Sequence, residues 1–251
     1  MSDSLPGAQA HIEAALKLCA QIDDLPADTP LIPIAKVGVI GAGTMGGGIT
    51  MNFLSAGIPV TIVEQEQAAL DRGVGVMGKN YEASVKRGRI DAADAAVAMG
   101  RLIPSLNFDD LADCDLVIEA VYESMEVKKD VFGRLDKIVK QGAILASNTS
   151  YLDVNEIAAA TARPEAVLGM HFFSPANIMK LLEVVRGAKT GASQLATVMQ
   201  LAGKIRKVPV VSGVCHGFIG NRMLAKRQEQ ANTLLMEGAA YYDIDQVLLD
   251  F

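Results

Sequence analysis

Residues 36–48 read KVGVIGAGTMGGG. An apolar stretch of strand type (Val37, Val39, Ile40) runs directly into Gly41-Ala42-Gly43-Thr44-Met45-Gly46, a G-x-G-x-x-G where a strand would turn into a helix. Gly41 suits the tight turn, Gly43 lets backbone approach a pyrophosphate, and Gly46 lets the helix pack closely on the strand. Thr44 and Met45 open that helix, whose free N–H groups and positive dipole end favour phosphate. In a chain with 23 glycines the motif alone would equally describe a flexible turn, so the flanks decide. A helix pattern runs on to Gly57, and a second strand, Val60–Val63, ends in Glu64. Glu64 stands 23 residues beyond Gly41, where a carboxylate can accept the hydroxyls of an adenosine ribose. The stretch predicts dinucleotide binding.

Working outward, the same alternation continues. A long helix is expected from Gln67 to about Arg87, a short one from Asp91 through Ala98, and strands at Leu102–Leu106 and Leu116–Val121. A helix over Met125–Val139 leads to a strand at Ala143–Ala146 and the polar Ser147-Asn148-Thr149-Ser150. Asp153 caps a helix through Ala160; Ala166–Gly169 leads into His171-Phe172-Phe173, and Leu181–Val185 follows. A helix near Ser193–Ile205 precedes a strand at Val208–Val211, and Phe218–Phe251 is helical in composition. Apolar strands joined by crossover helices predict an α/β fold: a doubly wound, mostly parallel Rossmann-type sheet covered on both faces. Upstream, His11–Ile22 carries Ile12, Ala15, Leu16 and Cys19 on one helical face, and Asp23–Pro33 holds three prolines and reads as a linker. The division expected is residues 1–35 as helix and linker, 36–213 as the dinucleotide-binding domain, and 214–251 as a separate helical part.

Composition narrows the function. Half the residues are hydrophobic and 21% charged, as in ordinary globular domains. The net charge of −6 argues against a general nucleic-acid binder. Cys19, Cys114 and Cys215 are odd in number and have no metal-ligand spacing, so free thiols and no metal are expected. No apolar run approaches the roughly 18 residues of a membrane span, and no secretory signal opens the chain. Cytoplasm is the expected location.

In such sheets ligands bind beyond the carboxyl ends of the strands, which singles out Gly41–Gly46, Glu64, Glu123, Ser147–Ser150 and His171. Glu183 interrupts the apolar Leu181-Leu182-Glu183-Val184-Val185, and a buried carboxylate needs a partner. If the chain folds back around Asn177, residues 171 and 183 face each other. A carboxylate beside the imidazole would orient the ring and stabilise its protonated form, which suits a base removing a hydroxyl proton as hydride leaves the same carbon. A structural ion pair, or a Glu183 pointing outward at a sheet edge, are the plainer readings. Ser147–Ser150 reads equally as an ordinary strand-to-helix loop. Asn221, in Gly217-Phe218-Ile219-Gly220-Asn221-Arg222, reads as a helix-start residue or as an amide for a substrate oxygen or cofactor carboxamide.

Five blocks, KVGVIGAGTMGGGI, DLVIEAVYE, SNTSYLDV, HFFSPANIMKLLEVV and GFIGNR, occur in this order. With them the chain from about Lys36 to Phe251 closely resembles L-3-hydroxyacyl-CoA dehydrogenases of fatty-acid β-oxidation. The fourth block resembles most the dehydrogenase part of multifunctional enzymes, which carry an enoyl-CoA hydratase upstream. The resemblance implies oxidation of (3S)-3-hydroxyacyl-CoA to 3-oxoacyl-CoA with NAD. It implies His171 as general base, Glu183 as its orienting partner, and Ser150 (rather than Ser147) and Asn221 on the substrate oxygen and nicotinamide. Glu123 and Lys128 match positions on the nicotinamide side, and Asn80, Lys86 and Arg87 lie where the family grips CoA. Glu64 replaces the family's usual aspartate; it would still accept two ribose hydroxyls and repel a 2′-phosphate, and no arginine is nearer in sequence than Arg72, so NAD is favoured over NADP. The family continues into a helical domain that closes over substrate and forms a homodimer in stand-alone members. This chain is expected to hold only the start of that domain. Two alternatives stand beside this reading: a related dehydrogenase of free hydroxy acids, and a non-catalytic NAD-binding fragment.

Overall fold

The computed structural model describes residues 7–19 and 21–250. Ala20, inside the expected first helix, and Phe251, at the end of the expected helical tail, lie outside the described residues.

A single eight-stranded sheet organises the chain. Its strands are β1 (Val37–Ile40), β2 (Val60–Val63), β3 (Leu102–Ser105), β4 (Leu116–Glu119), β5 (Ile144–Ser147), β6 (Val167–Phe172), β7 (Leu181–Arg186) and β8 (Val208–Gly213). They lie in the order β3-β2-β1-β4-β5-β6-β7-β8. Neighbours from β3 to β6 pair in parallel, β7 turns antiparallel to β6, and β8 runs parallel to β7. The central strands are buried along their whole length because both faces are covered, which is why they read as unbroken Val/Ile/Leu runs.

One face is packed by α2 (Thr44–Ser55), α3 (Gln67–Lys86), α4 (Ala92–Met99) and α7 (Ala192–Lys204). The other is packed by α5 (Met125–Ile138) and α6 (Val154–Ala158). Alternate strand residues feed the two cores, Leu116 and Ile118 to the first and Val117 to the second. The strand order reverses between β1 and β4, and this switch point opens the crevice that holds the site. Gly41 takes φ +96 there, and a Cβ on it would sit 2.8 Å from the Ala120 carbonyl oxygen. A Cβ on Gly46 would overlap the Gly41 carbonyl, so α2 can seat on the loop only with glycine at that position.

Several expected boundaries shift. Pairing with β7 extends β6 through Phe172, so His171 lies inside a strand rather than after one. Helix α1 spans Ala8–Cys19 instead of starting at His11, because Gly7 (φ +111) accepts the first helical bond from the His11 N–H. Its apolar face is only partly covered: Ala15 and Cys19 are half-buried, while Ile12 and Leu16 are 52% and 45% exposed. The linker after it runs along the sheet domain. Ile32 N–H donates to Thr197 Oγ1 at 2.8 Å, and the N–H groups of Ala35 and Lys36 donate to Asp115 Oδ2 at 2.8 and 2.9 Å. At the other end, α8 (Gly220–Met236) and α9 (Tyr241–Asp250) contribute no buried residue. Among the described residues no helix is long and apolar enough to cross a membrane.

Candidate active site

The glycine loop opens onto a cavity of about 520 Å³ walled by the α2 N-terminus, Glu64 and the face of α3 that carries Arg72, Gly73 and Asn80. A Cβ on Gly43 would meet no protein atom, so the loop's backbone is bare on that side. No side chain caps α2, which leaves its first N–H groups for phosphate oxygens. Glu64 is held at the end of β2 by two backbone donors, Ala42 N–H to Oε1 at 3.0 Å and Gln65 N–H to Oε2 at 2.8 Å. Each oxygen keeps a lone pair toward the cavity, so the cradle fits a dinucleotide whose ribose hydroxyls meet Glu64. Met45 instead packs on the core and offers only backbone to a ligand, whereas Thr44 lines the cavity. Gly73 went unremarked in the sequence: a Cβ there would overlap Ala42, so α3 also needs a glycine to approach the loop. Arg72 lines the same cavity, yet no ion pair joins it to Glu64 among the described residues.

Beyond β4 and β5 lies a second layer. Glu119, the last residue of β4, is fully buried and accepts from Lys128 Nζ at 2.8 and 2.9 Å, from the Ser147 hydroxyl and from Val121 N–H. Lys128 also lies 3.3 Å from Glu123 Oε2. Glu123 Oε1 accepts from the Thr149 hydroxyl at 2.6 Å and from Ser150 N–H at 2.8 Å. Burial pushes the Glu119 carboxyl above the usual carboxylate range, with Lys128 offsetting part of the cost. Burial acts on Glu123 in the same sense, but the Thr149 hydroxyl, Lys128 and Ser150 N–H outweigh it and hold this carboxyl below the usual range. Lys128, expected on the nicotinamide side, is only 1% exposed and lies between two carboxylates, so its link to the 147–151 loop runs through Glu123. Glu119 was missed in the sequence, although it stands inside the strand expected over Leu116–Val121, which the structure ends at Glu119.

The third layer is the β6–β7 hairpin. His171 and Glu183 are register partners, and His171 Nδ1 lies 2.8 Å from Glu183 Oε2 with both side chains buried. Glu183 Oε1 accepts from Gly220 N–H at 2.6 Å and Ile219 N–H at 3.2 Å. Those donors are aimed by Gly217 (φ +72) and Phe218 (φ +47), the latter a buried non-glycine held in the left-handed region. Because a carboxylate can only accept, the pair assigns the proton to Nδ1 and leaves Nε2 as the basic nitrogen. The ring lies against Phe173 and Phe218, with centroids 4.5 and 5.7 Å away.

These layers converge through backbone. Asn148 Oδ1 accepts from Phe172 N–H at 2.9 Å, joining the Ser147–Ser150 loop to the residue after His171. Ser150 is partly exposed, and among the described residues its hydroxyl has no hydrogen-bond partner. Asn221 is the next residue after a Glu183 donor, in the first turn of α8. Ser147, the less favoured of the two serines, is buried and spends its hydroxyl on Glu119. On α3, Asn80 lines the dinucleotide cavity, but Lys86 and Arg87 are exposed at the far end of the helix and do not. Among the described residues no group of three or more His, Cys, Asp or Glu could hold a metal ion.

Comparison with known proteins gives this geometry a lineage. A family model described as 3-hydroxyacyl-CoA dehydrogenase, NAD binding domain, matches residues 36–215. A peroxisomal bifunctional enzyme of Cavia porcellus is 46% identical over 219 residues, covering 87% of this chain and 30% of that protein's length. A 3-hydroxybutyryl-CoA dehydrogenase of Clostridioides difficile is 41% identical over 214 residues, 85% of this chain and 76% of that protein. The crystal structure of FadB2 from M. tuberculosis superposes with a TM-score of 0.84 at 35% identity, over 86% of this chain and 77% of that one. The chain therefore belongs to the 3-hydroxyacyl-CoA dehydrogenase family, and it carries that family's NAD-binding domain over residues 36–215.

Proposed function

We propose that the chain is the dehydrogenase part of a larger β-oxidation enzyme and oxidises (3S)-3-hydroxyacyl-CoA to 3-oxoacyl-CoA with reduction of NAD⁺. The observation that carries this reading is the buried His171–Glu183 pair, whose Nδ1–Oε2 contact of 2.8 Å leaves Nε2 as the free base. Bound NAD supplies the hydride acceptor. His171 Nε2 takes the proton of the 3-hydroxyl, and Glu183 holds the ring and stabilises the imidazolium that forms. The Ser150 hydroxyl and the Asn221 amide donate to the substrate oxygen, where charge changes during the step. Lys128 and Glu123 fix the Ser150 loop, and Gly41, Gly43, Thr44, Gly46 and Glu64 hold the adenosine half of the cofactor. Asn80 contacts the CoA arm, with Lys86 and Arg87 further along α3.

The division of labour along the chain is residues 1–35 as helix and linker, 36–213 as the NAD-binding domain and 214–251 as part of a helical substrate and dimerisation region. An enoyl-CoA hydratase upstream and a homo-oligomer through the helical region belong to the same proposal; the first is supported by a relative named a bifunctional enzyme, of which this chain spans 30%. The same relative is named peroxisomal, so imaging the full-length tagged protein decides between that compartment and the cytoplasm.

A second reading is favoured by one observation: α8 and α9 bury nothing, which leaves the side of the site they flank uncovered. In that reading this chain binds NAD without turnover. The test is NADH oxidation with acetoacetyl-CoA and with free acetoacetate, beside NADH titration of the same sample. Turnover with the thioester and not with the free acid supports the acyl-CoA reading; saturable NADH binding without turnover supports the second; faster turnover of the free acid overturns the first.

A further inference from the structure

Two of the three buried lysine and arginine side chains face a carboxylate: Lys128 faces Glu119 and Glu123, and Arg163 faces Asp136. Lys207 is the exception. It is 7% exposed, and its Nζ donates to the carbonyl oxygens of Ala176 at 2.6 Å and Met179 at 2.7 Å. No carboxylate lies within ion-pair distance of it among the described residues. Two carbonyl dipoles solvate an ammonium, but they do not neutralise it.

Lys207 borders a cavity of about 290 Å³ whose lining includes Lys180, Lys204 and Arg206 and not one Asp or Glu. Among the described residues none of the four cations has a carboxylate partner, although the chain carries a net charge of −6. The end of α7 favours cations through its dipole, which accounts for Lys204 and Arg206. It does not account for Lys180, which enters from the start of β7 with its carbonyl accepting from Val208 N–H. Arg206 closes α7 at φ 59, a place where glycine is the usual residue, so a long cation sits here at a backbone cost. The wall opposite, from α2 and α3, presents the hydroxyls of Ser55 and Tyr81, 2.9 Å apart. Asn177 lines both this cavity and the dinucleotide groove, so the two meet at that residue.

We propose that this cavity is an anion site that takes a phosphate monoester, separate from the pyrophosphate cradle of the glycine loop. A dianion would be the counter-charge that Lys207 lacks, with the exposed Lys180, Lys204 and Arg206 at the rim. The ligand is either free phosphate or the phosphate monoester at the end of a nucleotide tail.

The test compares the full chain with Lys204→Ala/Arg206→Gly. Both positions are exposed, and glycine suits the backbone at 206, so the variant should fold and its NADH titration should be unchanged. In the unaltered chain inorganic phosphate should raise the melting temperature saturably at fixed ionic strength, and calorimetry should show binding at least about tenfold weaker in the variant. Coenzyme A and 3′-dephospho-coenzyme A separate the sources. A tenfold preference for the former that vanishes in the variant assigns the monoester to the nucleotide tail; equal binding of both, with inorganic phosphate still saturating, assigns it to free phosphate. Absence of any saturable phosphate effect beyond chloride of equal ionic strength, or an effect unchanged in the variant, overturns the proposal. Neither result depends on turnover, so failure of the acyl-CoA reading would leave this one standing.

Discussion

Glu119 in β4 and Glu183 in β7 are both fully buried carboxylates in apolar strands, and each is matched to a base of a different kind. Glu119 meets the Lys128 side chain, together with a serine hydroxyl and a backbone N–H. Glu183 meets the His171 imidazole and takes two backbone donors from the start of α8. The first pair is tied to the Ser147–Ser150 loop through the Ser147 hydroxyl and Glu123. The second is the pair proposed above to accept a proton and give it back. The same physical device, a desolvated carboxylate held by several donors, stands in a scaffold in one place and in the proposed chemistry in the other.

His171→Gln should break the second pair with the largest effect. Turnover should fall by about 10²–10⁴-fold, read as acetoacetyl-CoA-dependent NADH oxidation, while NADH affinity stays nearly intact. Unchanged turnover would remove His171 from the role of base. Next in size, Glu119→Gln leaves Lys128 buried with Glu123 alone and should cost about 3 kcal/mol, read as a lower urea midpoint at unchanged slope. A midpoint equal to the parent's would show that the β4 pair holds nothing. Ser150→Ala removes one donor to the substrate oxygen and should lower turnover by about tenfold without moving the urea midpoint. Equal turnover would transfer that role to Asn221 alone.

The smallest effect sharpens the scaffold side through pH. Glu123 is held below the usual carboxylate range, on balance, by the Thr149 hydroxyl, Lys128 and Ser150 N–H acting against burial. A carboxyl lowered in the native state stabilises the fold fully above the ordinary glutamate value of about 4.3, and ceases to do so as pH falls through its native value. The stability gap between the parent and Glu123→Gln should therefore be widest near neutrality and close below about pH 4. A gap that widens on acidification would contradict the assignment.

Much of this was legible in the sequence, and the reasons differ from part to part. The β1–α2–β2 unit announces itself because buried parallel strands must be apolar throughout and the turn between them admits only glycine at 41 and 46. The facing of His171 and Glu183 follows from a charge in an apolar strand and a hairpin symmetric about residue 177. Glu119 gave the same signal in DLVIEAVYE, but its partner Lys128 comes from the following helix rather than from a facing strand, so no hairpin symmetry pointed to it. The extent of β6 was hidden because pairing with β7, a tertiary event, extends it past Gly169. Least legible were Lys180, Lys204, Arg206 and Lys207, whose shared cavity is built from a strand start, a helix end and two helices far upstream, α2 and α3.

Whether β4 carries the scaffold carboxylate and β7 the working one is tested most directly by single-turnover oxidation of NADH by acetoacetyl-CoA. Glu119→Gln and Glu183→Gln would be compared at saturating NADH, with rates normalised to the folded fraction. The expected result is a Glu119→Gln rate within about tenfold of the parent and a Glu183→Gln rate lower by about 10²-fold, since the second leaves the imidazole unoriented. Equal losses in the two variants, or a greater loss in Glu119→Gln, would contradict the account.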